Sequence, residues 1–263
     1  MAAAEQAQPP LRPGRGLLSR YTAADLEVFS DAERRRFVCD ARDPLGDVEV
    51  AWELLYRREP ELFDRLAGAE RLHAGVLAWL RCDVGRIAEV AAGAGRLTLE
   101  LLECAQSVWA IEPAAPLREL LRAKLSLAAR GDRARVIDGF FDSLPLADDF
   151  AELVVSCSSF TPDPAHGGER GLAEMERVCR PGGRVAIVWP NNLDWLAARG
   201  YRHVSFAGEM FMDFASFEEA IELVEIFYPH ASGAVREGGS RRVPYATLGV
   251  NPPRDLAYKV VSS

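Results

Sequence analysis

AEVAAGAGRLT, residues 88–98, is the stretch on which the fold turns. A run of strand length, RIAEV at 86–90, passes through Ala91, Ala92, Gly93, Ala94 and Gly95 straight into a helix that opens Arg96, Leu97, Thr98. Small residues at such a turn let the backbone approach a ligand lying over the strand ends, where open α/β sheets bind their ligands. Taken alone, the turn is also compatible with a tight structural bend, so its meaning depends on its surroundings.

Downstream, short apolar runs alternate with helical patterns: SVWAIE at 107–112, RVID at 135–138, ELVVS at 152–156 and RVAIVW at 184–189. That alternation predicts β-α units around a parallel sheet. Between the second and third runs a helix opens at Pro113, carries Leu117, Leu120, Leu121 and Leu125 on one face and ends at Gly131. A later helix starts with the capping box Ser216/Glu219, presents Ile221, Val224 and Tyr228 on one side and stops at Pro229. VPYATLGV, the turn NPPRD and LAYKVV, together 243–261, read as a C-terminal antiparallel β-hairpin. Upstream, residues 23–80 have helical spacing, with Pro60 marking a fresh start, while the Ala, Pro, Arg and Gly of residues 1–20 have no periodicity. The expected division is a disordered lead at 1–20, a helical lid segment at 21–80 and a ligand-binding α/β domain at 81–263.

Bulk properties narrow the function. With 31 basic and 39 acidic residues the formal charge is -8, which disfavours a broad phosphate-tracking surface and a nucleic-acid partner and favours a small molecule. The five cysteines, Cys39, Cys82, Cys104, Cys157 and Cys179, include no C-x-x-C pair, so neither a zinc site nor a disulfide framework is expected. Asp163, Asn191, Asn192 and Asp194 are too scattered to suggest a metal centre. The first residues contain no signal-peptide core, and no apolar stretch is long enough to span a bilayer; the expectation is a cytoplasmic protein without a membrane partner.

Glu112, at the end of the second strand and before Pro113, is the next residue that carries chemistry. A carboxylate there can accept hydrogen bonds from both hydroxyls of an adenosine ribose, whether in a dinucleotide or in another adenosyl cofactor. Its bland reading is a first-turn acid favourable to the helix dipole. The segments GFFDSLPLADDFAELVVS at 139–156 and LAEMERVCRPGGRVAIVW at 172–189 separate these readings. With them in this order, the chain resembles the class I S-adenosylmethionine (SAM)-dependent methyltransferases, especially the small-molecule, quinone-biosynthesis-like group. The resemblance spans roughly 85–190 and implies a Rossmann-like, seven-stranded, mostly parallel sheet, with the final hairpin supplying its antiparallel strand.

The resemblance further implies that Glu89 lies near the methionine end of SAM, with Ala91, Gly93 and Gly95 in the loop beneath it. Glu112, followed by Pro113, would hold the ribose, Gly139, Phe140 and Phe141 would edge the adenine, and Ser156 and Cys157 would sit beside the sulfonium. Two positions depart from the family pattern. Ala91 replaces the first loop glycine, and Phe140 stands where an acid often binds the adenine amino group, so stacking would take over there. If the acceptor is a hydroxyl or amine, a base must take its proton, and His166, in the loop after the fourth strand, is the candidate. Alternatives are a non-catalytic SAM-fold binding protein, motivated by Ala91 and Phe140, and an NAD(P)-dependent oxidoreductase, disfavoured by the missing G-x-G-x-x-G.

Overall fold

The computed structural model describes residues 15–38, 40, 42–81 and 85–262. The chain begins with four helices, α1 (Asp31–Phe37), α2 (Val48–Arg58), α3 (Pro60–Ala69) and α4 (Ala74–Leu80). Their starts are written in the sequence. Ser30 and Glu33 form a reciprocal capping box on α1, Asp47 accepts the Glu49 N–H at the start of α2, and Pro60 is the first residue of α3. There follow β1 (Arg86–Val90), α5 (Arg96–Leu101), β2 (Ser107–Ile111), α6 (Ala115–Leu127), β3 (Ala134–Ile137), β4 (Ala151–Cys157), α7 (Gly168–Val178) and β5 (Cys179–Val188). The chain continues through α8 (Leu193–Ala197), β6 (Arg202–Ser205), β7 (Phe211–Asp213), α9 (Phe217–Phe227), α10 (Ser232–Gly238), β8 (Arg242–Pro244), α11 (Tyr245–Leu248) and β9 (Asp255–Val260).

Seven strands form one sheet in the order β3-β2-β1-β4-β5-β9-β6, with β9 alone antiparallel to its neighbours. The five strands expected of the β-α units are all present. The strand order reverses between β1 and β4, and that crevice is where such sheets take ligands. One face buries Ile87, Val108, Leu153, Val155 and Val188 against α4, α5 and α6. The other buries Ala88, Val90, Val154, Val185 and Ile187 against α7 and α8. These runs are apolar on both faces because both are covered. A third core joins the N-terminal helices to α9, α10, α11 and the small β7-β8 sheet through Leu54, Leu55, Phe214, Phe227 and Tyr245. Phe140, Ala165 and Trp189, which follow β3, β4 and β5, pack against that third core, so it lies along the carboxyl edge of the sheet.

Three sequence expectations shift. Helix α6 opens at Ala115 with Pro116 in its first turn, two residues later than a start at Pro113, and ends at Leu127. The antiparallel strand β9 pairs with β5 and β6 rather than with 243–250. Pro244 cannot donate to a ladder, so the strand there is only three residues long and gives way to the helical turn α11. Of the expected lead, residues 1–14 lie outside the described residues, whereas Arg15–Ser19 form a 3-10 turn whose Leu17 is fully buried.

Candidate active site

The turn after β1 is defined by its dihedrals. Ala91, Gly93 and Gly95 have φ of 59°, 57° and 91°, three alternating left-handed positions, which is why the sequence there is Ala-x-Gly-x-Gly with nothing larger. The turn is bonded to its neighbours, the Ala92 N–H to Ile111 O at the end of β2 and the Gly95 N–H to Ala92 O, both at 3.0 Å. A methyl group on Gly95 would meet Leu121 of α6 at 2.3 Å, so this glycine lets α6 close on the turn.

Glu112 bridges the turn and α6. One carboxylate oxygen accepts the Gly93 N–H at 2.9 Å and the other accepts the Ala114 N–H at 2.8 Å. It is 5% exposed, and burial pushes its carboxyl up to about 7 against the pull of those two N–H groups. Glu89, one strand over, accepts the Thr98 hydroxyl at 2.6 Å and is pushed by burial to about 8. Ser156, at the end of β4, is wholly buried, and its hydroxyl has no hydrogen-bond partner among the described residues. Cys157, the last residue of β4, receives a contact from Arg96 at 3.2 Å. Glu89, Ala91, Gly93, Gly95, Glu112, Ser156 and Cys157 thus gather at the β1/β4 crevice.

The adenine-edge candidates divide. Phe140 is half-buried, with the Arg36 guanidinium 4.4 Å above its ring and Phe37 at 6.3 Å. Phe141 is a correction: its ring is edge-to-face with Phe160 at 4.9 Å inside the core beneath α7, so it does not line the crevice. Gly139 is needed for packing, since a side chain there would meet Ile111 and Pro145 at 2.7 Å. Pro113 contributes its carbonyl to Arg118 at 2.8 Å. His166 faces α2, with Glu53 and Glu49 at 3.7 and 3.8 Å and the Phe37 ring at 6.2 Å. Burial works against its charged form, but the two carboxylates outweigh it and its pKa is raised.

Side chains of the expected lid segment stand over the turn. Phe63 of α3 comes within 3.3 Å of where a side chain on Gly93 would stand, and Tyr56 of α2 packs edge-to-face on Phe63 at 4.8 Å. Lys124 of α6 pairs with Asp64 and donates to Ala94 O at 3.0 Å, tying α3 to the turn. Arg36 ties α1 to Asp142 at 3.0 Å. Helical periodicity announced these helices, but nothing local in sequence says that they meet a turn thirty residues away.

A glycine turn at the topological switch point, with an acid on the neighbouring strand bonded to it, defines a nucleoside-binding α/β domain of Rossmann type. Residues 87–183 match a family model described as a methyltransferase domain. An uncharacterized methyltransferase of Geobacillus kaustophilus is 28% identical over 182 residues, covering 67% of this chain and 72% of that protein. An uncharacterized methyltransferase of Mycobacterium tuberculosis is 31% identical over 119 residues, and the match spans only 45% of that protein. Among solved structures, the [4+2]-cyclase SpnF shares the fold at a TM-score of 0.53 and 14% identity, over 80% of this chain and 95% of that one. Residues 87–183 are thus a methyltransferase domain, similar to those of S-adenosylmethionine-dependent methyltransferases. No helix among the described residues is long and apolar enough to cross a membrane.

Proposed function

We propose that this chain methylates a small molecule in the covered crevice, binding the ribose of SAM on Glu112, the adenine beside Phe140 and the methionine end over the turn from Glu89 to Gly95. The carrying observation is Glu112, whose two oxygens are aimed by one N–H each from the turn and from α6 and keep lone pairs for two hydroxyls. The unpartnered Ser156 hydroxyl at the end of β4 supplies a second polar contact of the kind a bound cofactor would satisfy. The methyl on the sulfonium of SAM is already electrophilic, so the chain's contribution is position and exclusion of water. Tyr56 and Phe63 exclude water above the turn, and the turn's left-handed backbone brings main-chain atoms within reach of the ligand. The cover of α1, α2 and α3, together with the net charge of -8, favours a small acceptor over a nucleic acid.

Calorimetry with S-adenosylhomocysteine tests the reading. Glu112→Ala, with its fold checked by thermal melting, is expected to weaken binding about 10- to 100-fold through loss of charge-assisted hydrogen bonds. Because burial holds Glu112 at about 7, wild-type affinity should rise as pH passes upward through neutrality and then level off. Unchanged affinity in the variant would remove Glu112 from the cofactor site.

A further inference from the structure

A second polar cluster lies on the ligand side of the sheet. Arg96, the first residue of α5, pairs with Glu70 at the end of α3 and reaches Cys157 Sγ at 3.2 Å. Its guanidinium stands 5.8 Å from the centre of the Trp189 ring. Trp189 follows β5 with φ at 53°, an unusual backbone for so large a residue, and its ring meets Tyr245 of α11 edge-to-face at 6.1 Å. Tyr245 is 1% exposed, and its hydroxyl has no hydrogen-bond partner among the described residues. A buried phenolic hydroxyl ordinarily finds one, so this is the group in the cluster that most needs a ligand.

The cluster's chemistry narrows what that ligand is. A guanidinium carries more N–H donors than Glu70 and Cys157 take up, and it recognises planar anions with its remaining fork. Arg96 and Glu70 side chains are 19% and 13% exposed, so the pair is reachable. A cation would be repelled by Arg96, and a purely apolar molecule would leave the Tyr245 hydroxyl unpaired. The walls are aromatic, with Trp189 and Tyr245 joined by Tyr228, which is 1% exposed. Cys157 closes the cluster toward the β4 end, next to Ser156, so a ligand here would lie beside the proposed methionine end of SAM.

We propose that Arg96, Tyr245 and Trp189 recognise the methyl acceptor, and that the acceptor is a small planar aromatic molecule bearing an anionic oxygen, a carboxylate or a phenolate. This rests on the methyltransferase reading of the adjoining crevice. Arg96 takes the anionic oxygen, the Tyr245 hydroxyl donates to it, and the ring lies against Trp189.

The test is calorimetry on protein saturated with S-adenosylhomocysteine, titrated with benzoate, 4-nitrophenolate and uncharged benzamide. At least one anion is expected to bind about tenfold or more tightly than benzamide, and which of the two does so separates carboxylate from phenolate recognition. Tyr245→Phe should weaken that anion about fivefold or more while leaving S-adenosylhomocysteine affinity intact and the melting temperature no lower. Arg96→Lys, which keeps the charge but loses the fork, should weaken it as well. Equal binding of benzamide, or an anion affinity untouched by both variants, overturns the proposal while the cofactor site stands. Failure of S-adenosylhomocysteine itself to bind overturns the methyltransferase reading and this inference with it.

Discussion

Ala91 holds φ at 59° in a position where the two glycines after it do the same at 57° and 91°. A left-handed residue with a β-carbon costs roughly 1–2 kcal/mol. The methyl group survives because it packs against the core beneath α7. Ala91→Gly is therefore expected to raise unfolding free energy by about 0.5–1 kcal/mol, the relieved strain exceeding the entropy that glycine adds to the unfolded chain. Urea melts of the two proteins measure it, and a drop in stability would show that the lost packing outweighs the strain. At this scale the turn and Glu112 could be read from the residues themselves, and Glu89, Ser156 and Cys157 could be placed at neighbouring strand ends through the family resemblance. Phe141 could not, because consecutive residues after a short strand point to opposite sides and only packing decides which side is the crevice. Arg96 and Tyr245 were likewise hidden, since 149 positions separate them and neither sits in a recognisable motif.

Among elements, the link between α1 and α2 depends on Arg57. Its guanidinium pairs with Glu53 at 2.6 Å and Glu33 at 2.7 Å, with only 5% of the side chain exposed, and lies over Phe29 and Phe37 at 5.2 and 5.4 Å. Replacing it by methionine leaves Glu33 without its guanidinium partner and Glu53 with His166, at 3.7 Å, as its remaining cationic neighbour among the described residues. Removing one partner of a buried pair costs about 3–5 kcal/mol, and thermal or urea denaturation of Arg57→Met should show a loss of that order. A loss below about 1 kcal/mol would mean that the pair is effectively solvated. The five parallel strands were legible as elements because each is a short apolar run bounded by turns. The helical segment was expected as a lid, but the pairs that dock it were not legible. Its docking on the turn depends on long-range pairs such as Lys124 with Asp64 and Arg36 with Asp142, which no local pattern encodes.

For the whole molecule, the crevice makes stability depend on pH. Glu89 and Glu112 are held at about 8 and about 7 against an ordinary value of 4.5, and His166 is raised from 6.5. Each group binds its proton more tightly in the folded chain than in the unfolded one. Their stabilisation is complete below the unfolded values and is lost as pH rises through the folded ones. From about pH 5 to pH 8 the unfolding free energy should decline, by up to about 1.4 kcal/mol per unit for each group within its window. Glu33 and Glu59, held below the ordinary range by their arginine, serine and tyrosine partners against the cost of burial, act oppositely and lose their contribution as the pH falls below it. Urea melts across this range measure the trend, and stability that climbs from pH 5 to pH 8 would contradict the burial of the two crevice carboxylates.

Strand β9 pairs with both β5 and β6, which have no contact with each other in the sheet. During vectorial synthesis, residues 202–205 leave the ribosome some fifty residues before the strand that must sit between them and β5. Through that interval β6 is an orphan segment and β5 presents an open edge to any other nascent chain, the condition that favours misassembly. Closure of the sheet therefore waits on residues 255–260, and a chain that ends before them would lack β9 and leave β6 without a strand to pair with.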